Sequence, residues 1–231
     1  MFYKYCRKEH NIKEGCQKIH IGTLEYYKEL DPDFSIADKN EGSYEYDIDN
    51  YDPKKVPQED RLLGGIHLID INLIHNFPNC YIFSLSQRPP NKDGDDERLF
   101  AEDYDSYYQI KNVNRFGEKI VQLLYQHIGL NNFKKEVLIN KFTLKEFKEI
   151  LIYMQHYPVE YVEKKIKVNE QNNASVPGPT INNLVFKKDK KYSHEKEYRI
   201  VFVLYHPTKG VLQVKKGPLL LPINIFYEEL L

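Results

Sequence analysis

The sequence has no tryptophan, only two methionines and three cysteines, and nowhere do about 18 apolar residues run together. Each shortage excludes a class of protein. Cys6, Cys16 and Cys80 are odd in number and widely spaced, which suits neither a disulfide framework nor a Cys-x-x-Cys metal or redox site and implies reduced thiols. Without a long apolar run there is no membrane span, and the opening MFYKYCRK carries charge where a signal peptide needs an apolar stretch. The expected location is therefore the cytoplasm, with no membrane partner. Also missing are the Gly-x-x-x-x-Gly-Lys-Ser/Thr phosphate loop, Gly-x-Gly-x-x-Gly, the His-Glu-x-x-His zinc helix and the Gly-x-Ser-x-Gly nucleophile elbow. The eight histidines are scattered, so no metal site is expected. Neither sign of charge dominates: 33 basic against 34 acidic residues leave a net charge of -1, too little to steer the whole molecule toward nucleic acid or anionic lipid.

What the chain does have is tyrosine. With 19 of them supplying most of the aromatics, many must be half-buried, the ring packed and the hydroxyl satisfied. A length of 231 residues suits one large domain that buries most of its apolar surface, and residues 1–231 are read as a single unit.

Residues 2–7 alternate as a strand, with Tyr3, Tyr5 and Arg7 on one face and Phe2, Lys4 and Cys6 on the other. Residues 19–27 (IHIGTLEYY) read as a second extended piece ending at the Asp31-Pro32-Asp33 turn. Residues 37–60 are acidic and tyrosine-rich with few aliphatics, which predicts a long surface loop. Gly64-Gly65 introduces IHLIDINLI, and residues 79–87 (NCYIFSLSQ) read as a strand ended by Pro89-Pro90 and the polar turn 91–97. A helix is expected over 115–128, on the stripe Phe116, Ile120, Leu123 and Leu124. Another is expected over 143–154, on Phe147, Ile150, Leu151 and Met154, opened by a Thr143/Glu146 capping box. Residues 161–168 read as a strand, 169–179 as a loop, 197–205 (EYRIVFVLY) as the central strand and the tail as a β-meander. Strands, then helices, then strands argue for an α+β fold.

Two pairs in this pattern carry chemistry. Ser84 and Ser86 share one strand face with Ile82, and Glu195 and Glu197 share a face at the entrance to the central strand. Paired carboxylates repel one another more strongly as water is excluded, so such a pair is costly unless it is used. Plainer roles are open to both pairs: small polar residues finishing a strand, and a solvated strand end neutralised by Lys187, Lys188, Lys190 or Lys191.

Taken in order, a first strand with Tyr5 and Arg7, a middle strand with Ser84-Leu85-Ser86 and a late Glu195-Lys196-Glu197 resemble the ADP-ribosyltransferase superfamily of the arginine, Ser-Thr-Ser, Glu-x-Glu type. Here Cys6 separates Tyr5 from Arg7, and Leu85 stands in the middle of the serine motif. The pieces FYKYC, IADKNEG, IFSLS and FKKD followed by HEKEYRI also resemble a broad group of bacterial and phage-defence proteins, over most of the chain up to about residue 203.

The resemblance implies a split β-sheet with inserted helices that cradles NAD. It implies that Glu197 stabilises an oxocarbenium-like ribose and hydrogen-bonds a ribose hydroxyl, that Glu195 orients or deprotonates the acceptor, and that Ser84 holds the pocket or the catalytic glutamate. Arg7 would pair with the NAD diphosphate, Tyr5 or Tyr26 would stack on nicotinamide or adenine, Ser86 would join the cofactor site, and the loop with Asp38 and Glu41 would cover it. The implied activity is transfer of ADP-ribose from NAD to a macromolecular acceptor, whether RNA, DNA or protein, as a toxin or defence effector with an antitoxin or immunity partner. Two alternatives stay open. One is an NAD glycohydrolase using the same pocket. The other is a non-catalytic module binding protein or nucleic acid, whose basic face would come from Lys187, Lys188, Lys190, Lys191, Lys209, Lys215 and Lys216 with Tyr192 and Tyr198.

Overall fold

In a computed structural model, residues 1–29, 38–56, 58, 66–90, 104–128, 142–169, 171 and 181–223 are described. The longest strand is the β-branched and aromatic run expected to be central. In chain order the strands are β1 (Phe2–Cys6), β2 (Lys18–Thr23), β3 (Ser43–Tyr51), β4 (Leu68–Asn76), β5 (Tyr81–Ser86), β6 (Ser106–Ile110), β7 (Leu151–Pro158), β8 (Glu160–Val162), β9 (Lys165–Val168), β10 (Lys187–Asp189), β11 (Glu197–His206), β12 (Gly210–Leu212) and β13 (Leu219–Pro222). The helices are α1 (Leu24–Lys28), α2 (Val113–His127) and α3 (Leu144–Phe147), with several short 3-10 turns between.

The main sheet runs β12-β11-β5-β1-β6, with β7 also on β11 and β2 joining β5 to β13. Two smaller sheets, β4-β3-β9 and the parallel pair β10-β8, complete a β-rich α+β architecture. One face of the main sheet is covered by α2. Asn112 caps that helix by accepting from Arg115 N, and Phe116, Ile120 and Leu124 enter the core with Phe83, Ile200 and Phe202. Each such side chain contributes about 1.5–3 kcal/mol on burial. Gly117 lets α2 approach β7, since a Cβ there would stand 2.2 Å from Met154 Sδ. On the opposite face Leu24, Cys80, Ile82 and Val201 meet Val185 and Phe186.

The structure corrects the sequence reading in five places. The surface loop expected over 37–60 is a strand from Ser43 to Tyr51: these residues form β3, with Tyr44, Tyr46, Ile48 and Tyr51 buried against Val168 and Leu184. Tyrosine here takes the place of aliphatic residues on the inward face, while Glu45, Asp47 and Asp49 face outward. The helix expected over 143–154 stops after α3, although its Thr143/Glu146 capping box is present. Leu151 onward pairs antiparallel with β11 from Tyr205 to Tyr198, and Ile152, Met154 and His156 alternate with more exposed neighbours at strand period. Residues 19–27 are half strand and half helix, because Thr23 caps α1 by accepting from Tyr26 N. The strand expected over 161–168 is two, β8 and β9, separated around the buried Lys164. The tail is no meander, since β12 returns on β11 but β13 crosses to β2. The turns read at 31–33, 64–65 and 91–97, and residues 172–179 of the later loop, lie outside the described residues. Among the described residues no helix is long and apolar enough to cross a membrane.

Candidate functional site

The strands that carry the motif residues, β11, β5 and β1, lie side by side. Their register sets Glu197 opposite Ser86, Ser86 opposite Tyr3, and Arg199 opposite Ser84. A cleft open to solvent forms over this row. Tyr3, Tyr5, Tyr27 and Tyr104 supply its aromatic wall, Ile82 and Leu85 part of its apolar lining, and Ser84 and Ser86 hydroxyls. Its charged groups are Glu41, Glu195 and Glu197 against Lys4, Lys188 and Arg199.

Glu195 reaches the cleft by a route that strand alternation did not predict. It ends a 3-10 helix, Lys190–Glu195, opened by Asp189 accepting from Lys191 N and closed by Lys196 in the left-handed region at φ 45°. The Ser86 hydroxyl ties that turn to β5 by donating to Glu195 O at 2.7 Å. Glu195 is therefore not on the strand with Glu197, yet both carboxyl groups meet at Lys188. Its Nζ lies 2.7 Å from Glu195 Oε2 and 3.3 Å from Glu197 Oε2. Arg199 grips Glu197 as a fork, Nε to Oε1 at 2.7 Å and Nη2 to Oε2 at 2.9 Å. Its Nη1 donates to Val185 O at 2.5 Å and pairs by charge with Glu41 Oε1 at 2.6 Å. Arg199, Lys188, Glu41, Glu195 and Glu197 are all buried.

This arrangement drives the two carboxyl groups apart. Burial disfavours the charged form of Glu197, but Arg199 and Lys188, helped by a Ser84 hydrogen bond, outweigh it and hold the group well below the usual carboxylate range. Burial likewise pushes Glu195 upward, Lys188 opposing and Glu197 reinforcing, to about 8. Oε1 of Glu195 has no hydrogen-bond partner among the described residues. Glu197, in contrast, has its acceptor positions taken by two Arg199 bonds, Lys188 and Ser84, against the roughly four a carboxylate offers. For Glu197 to accept a hydrogen bond from a ribose hydroxyl, one of these would have to give way.

The cleft thus gathers Glu197, Glu195, Ser84, Ser86 and Tyr5, but not Arg7 or Tyr26. Strand β1 ends at Cys6, and the chain turns into the 3-10 segment Lys8–His10, leaving Arg7 half-exposed with Nη1 3.7 Å from Glu9 Oε1. Tyr26 packs against His20 and Tyr27, and helix α1 presents Tyr27 to the cleft in its place. Gly22 makes room for that ring, since a Cβ there would stand 2.5 Å from Tyr27 Cε2. The Tyr5 hydroxyl is already engaged, donating to Arg88 O at 3.0 Å. Of the loop expected to cover the site, Glu41 lines it, while Asp38 forms a buried pair with Lys164 at 2.9 Å.

Sequence reasoning missed Arg199, Lys4, Tyr27 and the buried role of Lys188. Arg199 was findable, because two residues after Glu197 on a strand is the same face. The basic face fares poorly: Lys188 is internal, and Lys187, Lys190, Lys209 and Lys216 pair with Glu160, Glu163, Glu146 and Glu29.

No protein-family model matches the chain, and neither the curated proteins nor the solved structures searched contain a match.

Proposed function

We propose that the cleft binds NAD and transfers its ADP-ribose to a macromolecular acceptor, nucleic acid or protein, on a split sheet of the ADP-ribosyltransferase kind. The observation that carries this reading is convergence: the serine, glutamate and first-strand aromatic elements of the resemblance come from distant segments and meet at one cleft on adjacent strands. The paired carboxyls support it, since groups whose environments push their pKa values apart divide into a fixed charge and a proton carrier.

The chemistry assigns them accordingly. The bond between the nicotinamide nitrogen and ribose C1 breaks with its electron pair leaving on nicotinamide, and positive charge develops on the ribose. Glu197, held ionised by Arg199, is the fixed negative charge that favours this state. An acceptor nucleophile then bonds to C1, and its proton passes to Glu195. Tyr27 and Tyr5 offer the stacking surfaces. In this role the protein is a toxin or phage-defence effector, with an antitoxin or immunity partner covering the cleft.

The crowded contacts of Glu197 favour a second reading, a non-catalytic binding module whose buried ions serve the fold. The experiment that separates them is calorimetry with NAD, followed by release of nicotinamide in the presence and absence of protein and nucleic-acid acceptors. Binding with acceptor-dependent release supports transfer, release without acceptor indicates hydrolysis, and neither binding nor release sinks the enzyme. Glu197→Gln should bind NAD yet lose a hundred- to a thousandfold in rate, roughly 2.7–4 kcal/mol of barrier. An unchanged rate removes Glu197 from the chemistry.

A further inference from the structure

Lys188 is a cation of the cleft that the resemblance does not call for. Lys188 enters from β10, whose parallel pairing with β8 sets it opposite Tyr161. Its Nζ sits between the two glutamates, 2.7 Å from Glu195 Oε2 and 3.3 Å from Glu197 Oε2, and 4.6 Å from the centre of the Tyr192 ring. Both contacts fall on the Oε2 atoms. Oε1 of Glu197 is occupied by Arg199, whereas Oε1 of Glu195 meets no described donor although Glu195 is only 3% exposed and lines the cleft.

We propose that Lys188 is the positioning residue of the site, holding Glu195 by one oxygen so that the other is left to take the proton of the attacking nucleophile. The proposal rests on the transfer reading for what that proton does, but the geometry it describes is independent of any substrate. In the step itself, the nucleophile's lone pair forms the bond to C1 as its O–H or N–H proton passes to Glu195 Oε1. Nicotinamide leaves with the electron pair of the broken bond, and Glu195 later returns the proton to water.

Lys188 has a second effect through charge. The groups facing Glu195 are Lys188 from β10, Glu197 and Arg199 from β11, Glu41 from the segment before β3, and Tyr161 from β8. Burial and the neighbouring carboxylates raise Glu195, and Lys188 opposes them. An opposing charge this close lowers a carboxyl group by about 1–3 pH units, so its removal raises Glu195 by a comparable amount. Because Glu195 must be ionised to accept a proton, turnover rises with pH through its titration, and loss of Lys188 moves that rise to higher pH.

The test uses the full chain labelled with carboxyl carbon-13 glutamate, titrated by NMR and assayed in parallel for nicotinamide release. In Lys188→Met the Glu195 midpoint should move up by about one unit or more, with the acid limb of turnover moving equally, while Lys188→Arg should stay near the wild type. A lysine with no part in turnover would lift the Glu195 midpoint by charge alone and leave the acid limb of turnover where it was. A Glu195 midpoint unmoved in folded Lys188→Met overturns the proposal. If that variant does not fold, the double variant Lys188→Met/Glu195→Gln removes both charges; it should fold and lose the pH limb altogether, and retention of the wild-type limb overturns the proposal. Should the wild type release no nicotinamide at any pH, the transfer reading falls, while the NMR titration still decides whether Lys188 sets the charge state of Glu195.

Discussion

The main sheet and the β4-β3-β9 sheet solve burial with different residues. In β11, Ile200, Val201 and Phe202 are buried in succession, because helix α2 covers one face and the Leu24 cluster the other. In β3 buried and more exposed residues alternate from Tyr44 to Ile48, and three of the four core side chains there are tyrosines. The first sheet then places its ions inside, where Arg199 is 2% exposed, and the second keeps its Lys165–Glu45 pair at the surface. The contrast teaches that the main sheet gathers its buried charge at the cleft, whereas the buried Lys164–Asp38 pair lies outside the cleft lining. Desolvating ions that well-packed apolar groups could replace is a cost that structure alone does not reward.

Variants at matched positions put that contrast under strain. The largest effect should come from Arg199→Met, which leaves Glu197 and Glu41 buried without their main partner; about 3–5 kcal/mol should vanish in urea unfolding, and a loss under 1 kcal/mol would show the cluster to be relaxed and hydrated. Next, Tyr46→Ala should cost about 3 kcal/mol, within the range for deleting a buried aromatic ring, if the tyrosine layer is a true core. A near-neutral result would return residues 43–51 to the status of a surface ribbon. The smallest effect should come from Lys165→Gln, whose side chain is 55% exposed: its thermal midpoint should match the wild type, whereas Lys164→Met, one residue earlier and 3% exposed beside Asp38, should be plainly destabilised. Equal midpoints for the two lysine variants would erase the distinction between inner and outer charge.

How much of this was legible follows from what the sequence encodes locally. Strands β5 and β11 and helix α2 could be read because their apolar periods are strong, and Ser84 and Glu197 were singled out by spacing on those strands, whereas Glu195 was picked on a strand alternation that its 3-10 turn does not follow. Strand β3 was missed because an acidic stretch with few aliphatics reads as a loop, although its tyrosines alternate with acidic residues at strand period. Strand β7 was missed because Phe147, Ile150, Leu151 and Met154 also fit a helix, and only pairing with β11 decides between the two periods. The partners of the glutamates were out of reach for another reason. Lys188, Glu41 and Arg199 meet through a left-handed Lys196 and a buried loop, and neither is written in the composition of a single segment.

The order of strands in the main sheet also governs how the molecule is made. Strand β5 ends up between β1 and β11, but Glu197 opposite Ser86 means that it waits about a hundred residues for its second neighbour. Contacts of such sequence separation close slowly, since loop entropy has to be lost before pairing repays it. On the ribosome, β5 and its serines are therefore exposed while the glutamates are still untranslated. Residues 190–199, emerging late, supply the second neighbour of β5 and the cleft's two central carboxylates in one event, so the chain acquires its folded sheet and its charged cleft together.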